Sequence, residues 1–213
     1  MTKIRIDKKT KWFFHCSLLL TVVVLAESSF ALEEIEKISY LNPMPGPDHR
    51  NIGWEWHFID QDNKAGKMQK TAGNQEIASY IRTDGCEWTR STQGFAPATQ
   101  WENCPSKGTS SVELVSGEIW PLTVGSKFVY TVQGTSSLFG KAWKSKRSCK
   151  VDSQWRIQIV SGEYETFKVI CKERWGKRTW WLSPKVGTAV AYKQTNIRGG
   201  LLLQEMTRII APE

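Results

Sequence analysis

The chain has 213 residues, 40% of them hydrophobic and 23% charged, which fits one globular domain and excludes a disordered chain. A formal net charge of +8 favours anionic partners without naming one. Eleven tryptophans suit a thin β core or a contact surface, because an indole joins a large apolar area to an N–H donor.

Residues 1–31 read as a secretory signal. Lys3, Arg5, Lys8, Lys9 and Lys11 form a basic start, residues 17–26 (SLLLTVVVLA) an apolar run, and Ser29-Phe30-Ala31 a small-residue cleavage site. The apolar run falls short of the roughly 20 residues that span a bilayer. Phe13-Phe14-His15 before Cys16 are too bulky for a lipid-attachment site. Cleavage after Ala31 removes five basic and two acidic residues and leaves a net charge of +5. The expected location is periplasmic or secreted.

Residues 32–41 (LEEIEKISYL) predict a short helix, since Leu32, Ile35 and Ile38 recur at a spacing of three. Residues 42–48 (NPMPGPD) stop it and form a stiff connector, so residues 32–48 stand as an appendage to a β domain over 49–213. Residues 52–59 alternate, with Trp54, Trp56 and Phe58 on one face, which is a half-buried strand. Those rings serve either as core or as a platform for a sugar or other ligand. Residues 60–73 are polar around a turn at Asp62-Asn63, and residues 76–82 make another strand that ends at Asp84-Gly85.

Residues 84–104 lack regular periodicity and read as a disulfide-stapled loop. The clearest alternation follows. Strands are expected over residues 127–132, 149–160, 164–174, 178–182, 188–193 and 201–210, with a flexible connector at 134–140. The fold class is therefore all-β, a mainly antiparallel meander in an open sheet or half-barrel, with a short N-terminal helix.

After cleavage Cys86, Cys104, Cys149 and Cys171 remain, an even number for an oxidising compartment. Three connectivities exist, and proximity favours Cys86–Cys104 with Cys149–Cys171. A hairpin turning at Ser161-Gly162 would set Cys149 opposite residue 174, so the second bridge needs a bulge, for which Asp152-Ser153-Gln154 is the natural place. Intervals of 17, 44 and 21 residues contain no zinc knuckle.

Four motifs resemble a domain of uncharacterised exported bacterial envelope proteins. They are W-P-L-x-V-G-x-x-F-x-Y from Trp120, G-x-Y-x-T-F-K-V-x-C from Gly162, W-L-S-P-K-V-G from Trp181, and D-G-C-x-W-T-R with F-A-P and W-x-N-C from Asp84 to Cys104. The resemblance spans residues 80–195 and implies an exported antiparallel β fold without any established activity. A more distant similarity is to the half-barrels of periplasmic lipid carriers.

The chain offers little chemistry. Asp48, His49, His57 and Asp60 lack metal-ligand spacing, no nucleophile elbow, P-loop or dinucleotide fingerprint occurs, and neither a cofactor nor an enzyme is expected. The basic cluster is more informative. Residues 141–178 hold eleven Lys or Arg against four acids. The candidate binding residues are Lys141, Trp143, Lys144, Lys146, Arg147, Lys172, Arg174, Trp175, Lys177 and Arg178, gathered at two turns. They suit an anionic lipid, lipopolysaccharide or acidic glycan, or another envelope protein, rather than nucleic acid. The competing reading is a solvated edge whose lysines deter sheet aggregation. A carrier of an apolar ligand is the alternative function, with Trp155, Ile157, Phe167 and Trp181 as its expected lining.

Overall fold

The computed structural model describes residues 32–46, 51–74, 76–92, 94–138 and 140–212. The signal sequence expected over 1–31 lies outside them, as do Asp48 and His49. Thirteen strands account for the fold: β1 (Glu33–Ile38), β2 (Glu55–Asp60), β3 (Ala65–Gly73), β4 (Ile77–Arg82), β5 (Glu87–Ser91), β6 (Ala98–Glu102), β7 (Gly108–Ser116), β8 (Lys127–Ser136), β9 (Trp143–Ile159), β10 (Gly162–Glu173), β11 (Gly176–Ser183), β12 (Thr188–Asn196) and β13 (Leu201–Ile210).

From β2 to β13 each strand pairs antiparallel with the next, and β13 returns to pair with β2. The result is a closed twelve-stranded up-and-down barrel, not the open sheet or half-barrel expected. The β13–β2 pairing gives each strand from β2 to β13 a partner on both sides, which an open meander cannot give its first and last strands.

The helix expected at residues 32–41 is instead strand β1. It pairs with the second half of β9, from Glu33 opposite Gln158 to Ile38 opposite Gln154, while the first half of the same β9 edge is taken by β8. An isolated helix of this length is marginal in water, whereas a vacant stretch of strand edge pairs the same backbone at once. Residues 33–38 of the expected appendage are thus part of the sheet. Further along, Met44 exchanges backbone hydrogen bonds with Leu122.

The span 84–104 is not all loop. It contains β5 and β6, joined by the Cys86–Cys104 disulfide with 4.4 Å between Cα atoms. Strands β3 and β7 fall in segments with no clear alternation, and β8 runs into the connector expected at 134–140.

Both expected disulfides are present, and the register shows how the second forms. The β9–β10 turn is Val160-Ser161, since Ile159 pairs with Gly162. The pairing then slips by one at Asp152, between Ser153–Lys168 and Val151–Val169, and brings Cys149 opposite Cys171 at 4.0 Å. The bulge falls in the expected segment but supplies one residue of the offset; the other two come from the turn, which lies one residue earlier than the expected Ser161-Gly162. Two such bonds belong to an oxidising, extracytoplasmic setting.

Directly opposed residues of an antiparallel pair share a face, so the register sorts side chains into inner and outer rows. Phe128, Cys149, Cys171 and Arg178 form one inner row; Val151, Val169, Trp180 and Tyr192 form the next. Phe128, Tyr130, Val151, Phe167 and Val169 are fully buried there, with Phe95, Leu122 and Met44 packed in from the connecting segments. A second cluster, Ile157, Ile159, Trp181 and Ala191, lies on the other face, with Leu32 against it.

Candidate functional site

The ten candidate residues divide between the two faces. Lys144, Lys146, Lys172 and Lys177 point outward, and all four are exposed. Lys172 lies directly opposite Lys177 and Ser148. Lys141 and Arg174 are exposed in the two adjoining turns, which lie at the same end of the barrel, and Arg174 rests 4.9 Å from the Trp175 ring centre. Trp143 turns inward against the core. Arg147 and Arg178 also point inward, so the cluster read as one patch is an outer lysine field and an inner arginine pair.

The outer field extends beyond the residues singled out by sequence. One row runs Lys127, Lys150, Ile170, Thr179, Lys193 across β8 to β12; the next runs Val129, Ser148, Lys172, Lys177, Thr195. With Lys144, Lys146 and Lys168 this face carries eight lysines over β8 to β12, and Glu113 of the adjoining β7 is an acid in register with it, in the row of Thr131 and Lys146. Asp152, in the bulge, reaches Lys150 at 3.2 Å, and Glu34 of β1 reaches Lys168 at 2.6 Å. Lys168 also sits 5.7 and 5.6 Å from the ring centres of Trp155 and Trp181. Beside it a groove of about 340 Å³ opens between Lys168, Lys177, Lys193, Thr179 and Thr195, with Glu34, Leu32 and Trp181 also lining it. These lysines could not be recognised as one field from sequence, because they are spread over five strands and only the register aligns them. Their presence at mid-strand also sets this face apart from the apolar outer band of a membrane barrel.

Inside, Arg147 is 5% exposed and donates from Nε and Nη2 to Glu173 Oε2 at 3.0 and 2.9 Å, and from Nη1 to the Phe95 carbonyl at 2.7 Å. Arg178 pairs with the other oxygen of Glu173, and its Nε donates to Tyr192 and Gln194 at 3.2 and 3.3 Å. Burial, with Arg178 alongside, pulls the Arg147 pKa down to about 9, which leaves it charged at neutral pH. Desolvation raises the Tyr130 and Tyr192 phenols, so both stay neutral. Phe95 holds a left-handed backbone (φ 50°), a costly conformation for a bulky residue, fixed here by the Arg147 bond and by ring contacts with Trp120, Phe128 and Trp180.

Beyond this core the interior remains open. A half-enclosed cleft of about 500 Å³ is walled by Trp56, Phe58, Trp88, Trp120, Trp180 and Tyr192, with Arg82, Arg90, Arg147 and Arg178 along it. The β2 aromatics therefore face a cavity, between the core and platform roles that the alternation left open. The lining expected for a carrier is corrected by the register. Trp155, Ile157 and Trp181 are outer-face residues packed in the second cluster, Phe167 is solid inner core, and Trp180 rather than Trp181 faces the cleft. His57 lies at the cleft wall and contacts Glu55 at 3.0 Å.

No family model and no curated protein matches the sequence. A solved structure, the crystal structure of the hypothetical lipoprotein YmcC from Escherichia coli (K12), is similar over 75% of this chain and 85% of that one, at 9% identity and a TM-score of 0.48. At that level the likeness assigns no role.

Proposed function

We propose that the protein is a non-enzymatic barrel of the periplasm or extracellular space that binds an anionic envelope component on the outer lysine face of β8–β12. The observation that carries the reading is the Lys172–Lys177 pair. Like charges directly opposite each other across strands are destabilising, and neither lysine has a carboxylate partner among the described residues. Guarding a sheet edge does not account for them, because β10 and β11 are each paired on both sides. An anion laid across the face relieves the repulsion, and in the groove, where Glu34 already pairs with Lys168, Lys177 and Lys193 are the cations left for a phosphate or carboxylate group.

The test is co-sedimentation with vesicles rich in phosphatidylglycerol, with lipopolysaccharide as a second arm and phosphatidylcholine vesicles as control. Joint substitution of Lys144, Lys146, Lys172 and Lys177 by Gln is expected to weaken anionic binding by about tenfold or more, since each lysine near such a surface contributes on the order of 1 kcal/mol. Binding should also weaken with added salt. Arg147 stays unchanged in this variant because it belongs to the interior. Equal binding by parent and variant, or none by the parent, overturns the reading.

A further inference from the structure

The open interior is a second site, independent of the outer face. We infer that the cleft binds an amphipathic small molecule with an apolar body and one carboxylate, phosphate or sulfonate group.

The apolar part of the inference rests on the walls. Trp56, Phe58, Trp88, Trp120 and Trp180 surround a volume of about 500 Å³, within the range of about 300–1,000 Å³ typical of small-molecule pockets. Twelve strands enclose more space than their own side chains fill, and the inner core occupies only part of it. Tyr80 stacks on Trp88 with 5.5 Å between ring centres and tilts against Trp56 at 6.3 Å, so part of the wall is a fixed aromatic panel. A preset panel loses little side-chain freedom when a ligand is laid on it.

The anionic part rests on the charges. Arg82 is neutralised by Asp84. Arg147 and Arg178 share the single carboxylate of Glu173, which leaves one positive charge uncompensated in a desolvated place. Arg90 lies 4.8 Å from the Tyr80 ring centre and has no carboxylate partner among the described residues. The acid along the wall, Glu205, has its two oxygens engaged by the backbone N–H groups of Leu32 and Val160. Trp120 Nε1 is buried without an acceptor among the described residues, a donor that a ligand oxygen would satisfy. Along the cleft, then, the charges without a full counter-charge are arginines, and Trp120 Nε1 is an orphaned buried donor.

The experiment uses the mature chain and two fluorescent probes with the same aromatic body, the anionic 1-anilinonaphthalene-8-sulfonate and the neutral N-phenyl-1-naphthylamine. The sulfonate is expected to bind one to one and more tightly. Dodecyl phosphate and dodecanoate should displace it, separating phosphate from carboxylate preference, and dodecanol should not. Arg90→Met keeps the bulk and removes the charge. It is expected to weaken sulfonate binding about tenfold and leave the neutral probe unchanged. Ala98→Trp, which fills the cleft without altering a charge, should abolish both. Joint Lys172→Gln and Lys177→Gln substitution should alter neither, so failure of the outer-face reading leaves this result intact. Equal affinity for the two probes, or sulfonate binding indifferent to Arg90→Met, overturns the anionic assignment. Full binding by a folded Ala98→Trp chain, or no probe binding by the parent, overturns the cleft itself.

Discussion

Asp84 gathers three donors at the turn between β4 and β5. Arg82 donates to it from Nε at 2.9 Å and from Nη2 at 2.5 Å, and the Cys86 N–H donates at 3.2 Å. The Arg82 guanidinium foremost, then the backbone N–H, holds the Asp84 carboxyl below its ordinary value. A carboxylate whose folded pKa is depressed adds stability that is present above its unfolded pKa, about 3.9, and lost as pH falls through the folded value. Because Asp84 is largely exposed, solvent screens the pair and its effect stays local. The Asp84 carboxyl carbon, followed by NMR, is expected to titrate below about 3.9 in the parent and to move up toward it in Arg82→Gln. A midpoint that does not respond to Arg82→Gln would show that the salt bridge is absent in solution. Arg82 lies at the cleft wall, and its engagement with Asp84 is why the charge there falls to Arg90, Arg147 and Arg178.

Elements with strong period-two alternation, β2 and β8 to β13, were legible in the sequence, because one face is apolar and a strand pattern admits one burial. The disulfide pairing was legible as well, with the segment that bulges, because strand rise and cysteine reach demand an offset; the turn itself was placed one residue too late, so the hairpin register was not. The misses have physical causes. In β1 the spacing of Leu32, Ile35 and Ile38 fits a helix, and the vacant half-edge of β9 that captures it is a product of the fold. Strands β3 (AGKMQKTAG) and β7 (GTSSVELVS) lack a continuous apolar face, because they border the open part of the barrel or carry small residues. Which of Trp180 and Trp181 faces the cleft depended on the inner and outer rows, and so did the division of the basic cluster. The two disulfides differ in the same way. Cys149 and Cys171 are 3% and 1% exposed in the main core, whereas Cys104 is only half-buried at the end of β6. A native chain treated briefly with a small phosphine and then alkylated is expected to carry label on Cys86 and Cys104 first, by peptide mass spectrometry. Equal labelling of all four cysteines would mean that the core around Cys149 opens as readily as the barrel rim.

At the scale of the molecule the ring of strands is unevenly bonded, and this bears on how a ligand would reach the interior. Strands β9 and β10 pair along most of their length, from Gly162–Ile159 to Lys172–Ser148, over the main core. By contrast β6 and β7 meet only at Gln100–Thr109 and Trp101–Gly108. The neighbouring strands β5 and β6 bring Trp88, Arg90 and Ala98 to the cleft, so the weakest seam borders the proposed site. Local opening follows the regions with the fewest buried contacts and ladder bonds. Amide hydrogen exchange is therefore expected to be fastest among the strands in β5 to β7 and slowest in β9 and β10. The Cys86–Cys104 bond ties the end of β6 back to the start of β5. Its removal by paired Cys→Ala substitution should speed exchange in β5 and β6 while the β9–β10 hairpin keeps its protection. A ligand in the cleft would do the opposite, because binding only the closed form draws the opening equilibrium back in proportion to occupancy. Dodecyl phosphate at saturating concentration should thus slow exchange in β5 to β7 selectively. Uniform exchange around the ring, or protection confined to β9 and β10 on adding the amphipath, would mean that the seam is not the path into the barrel.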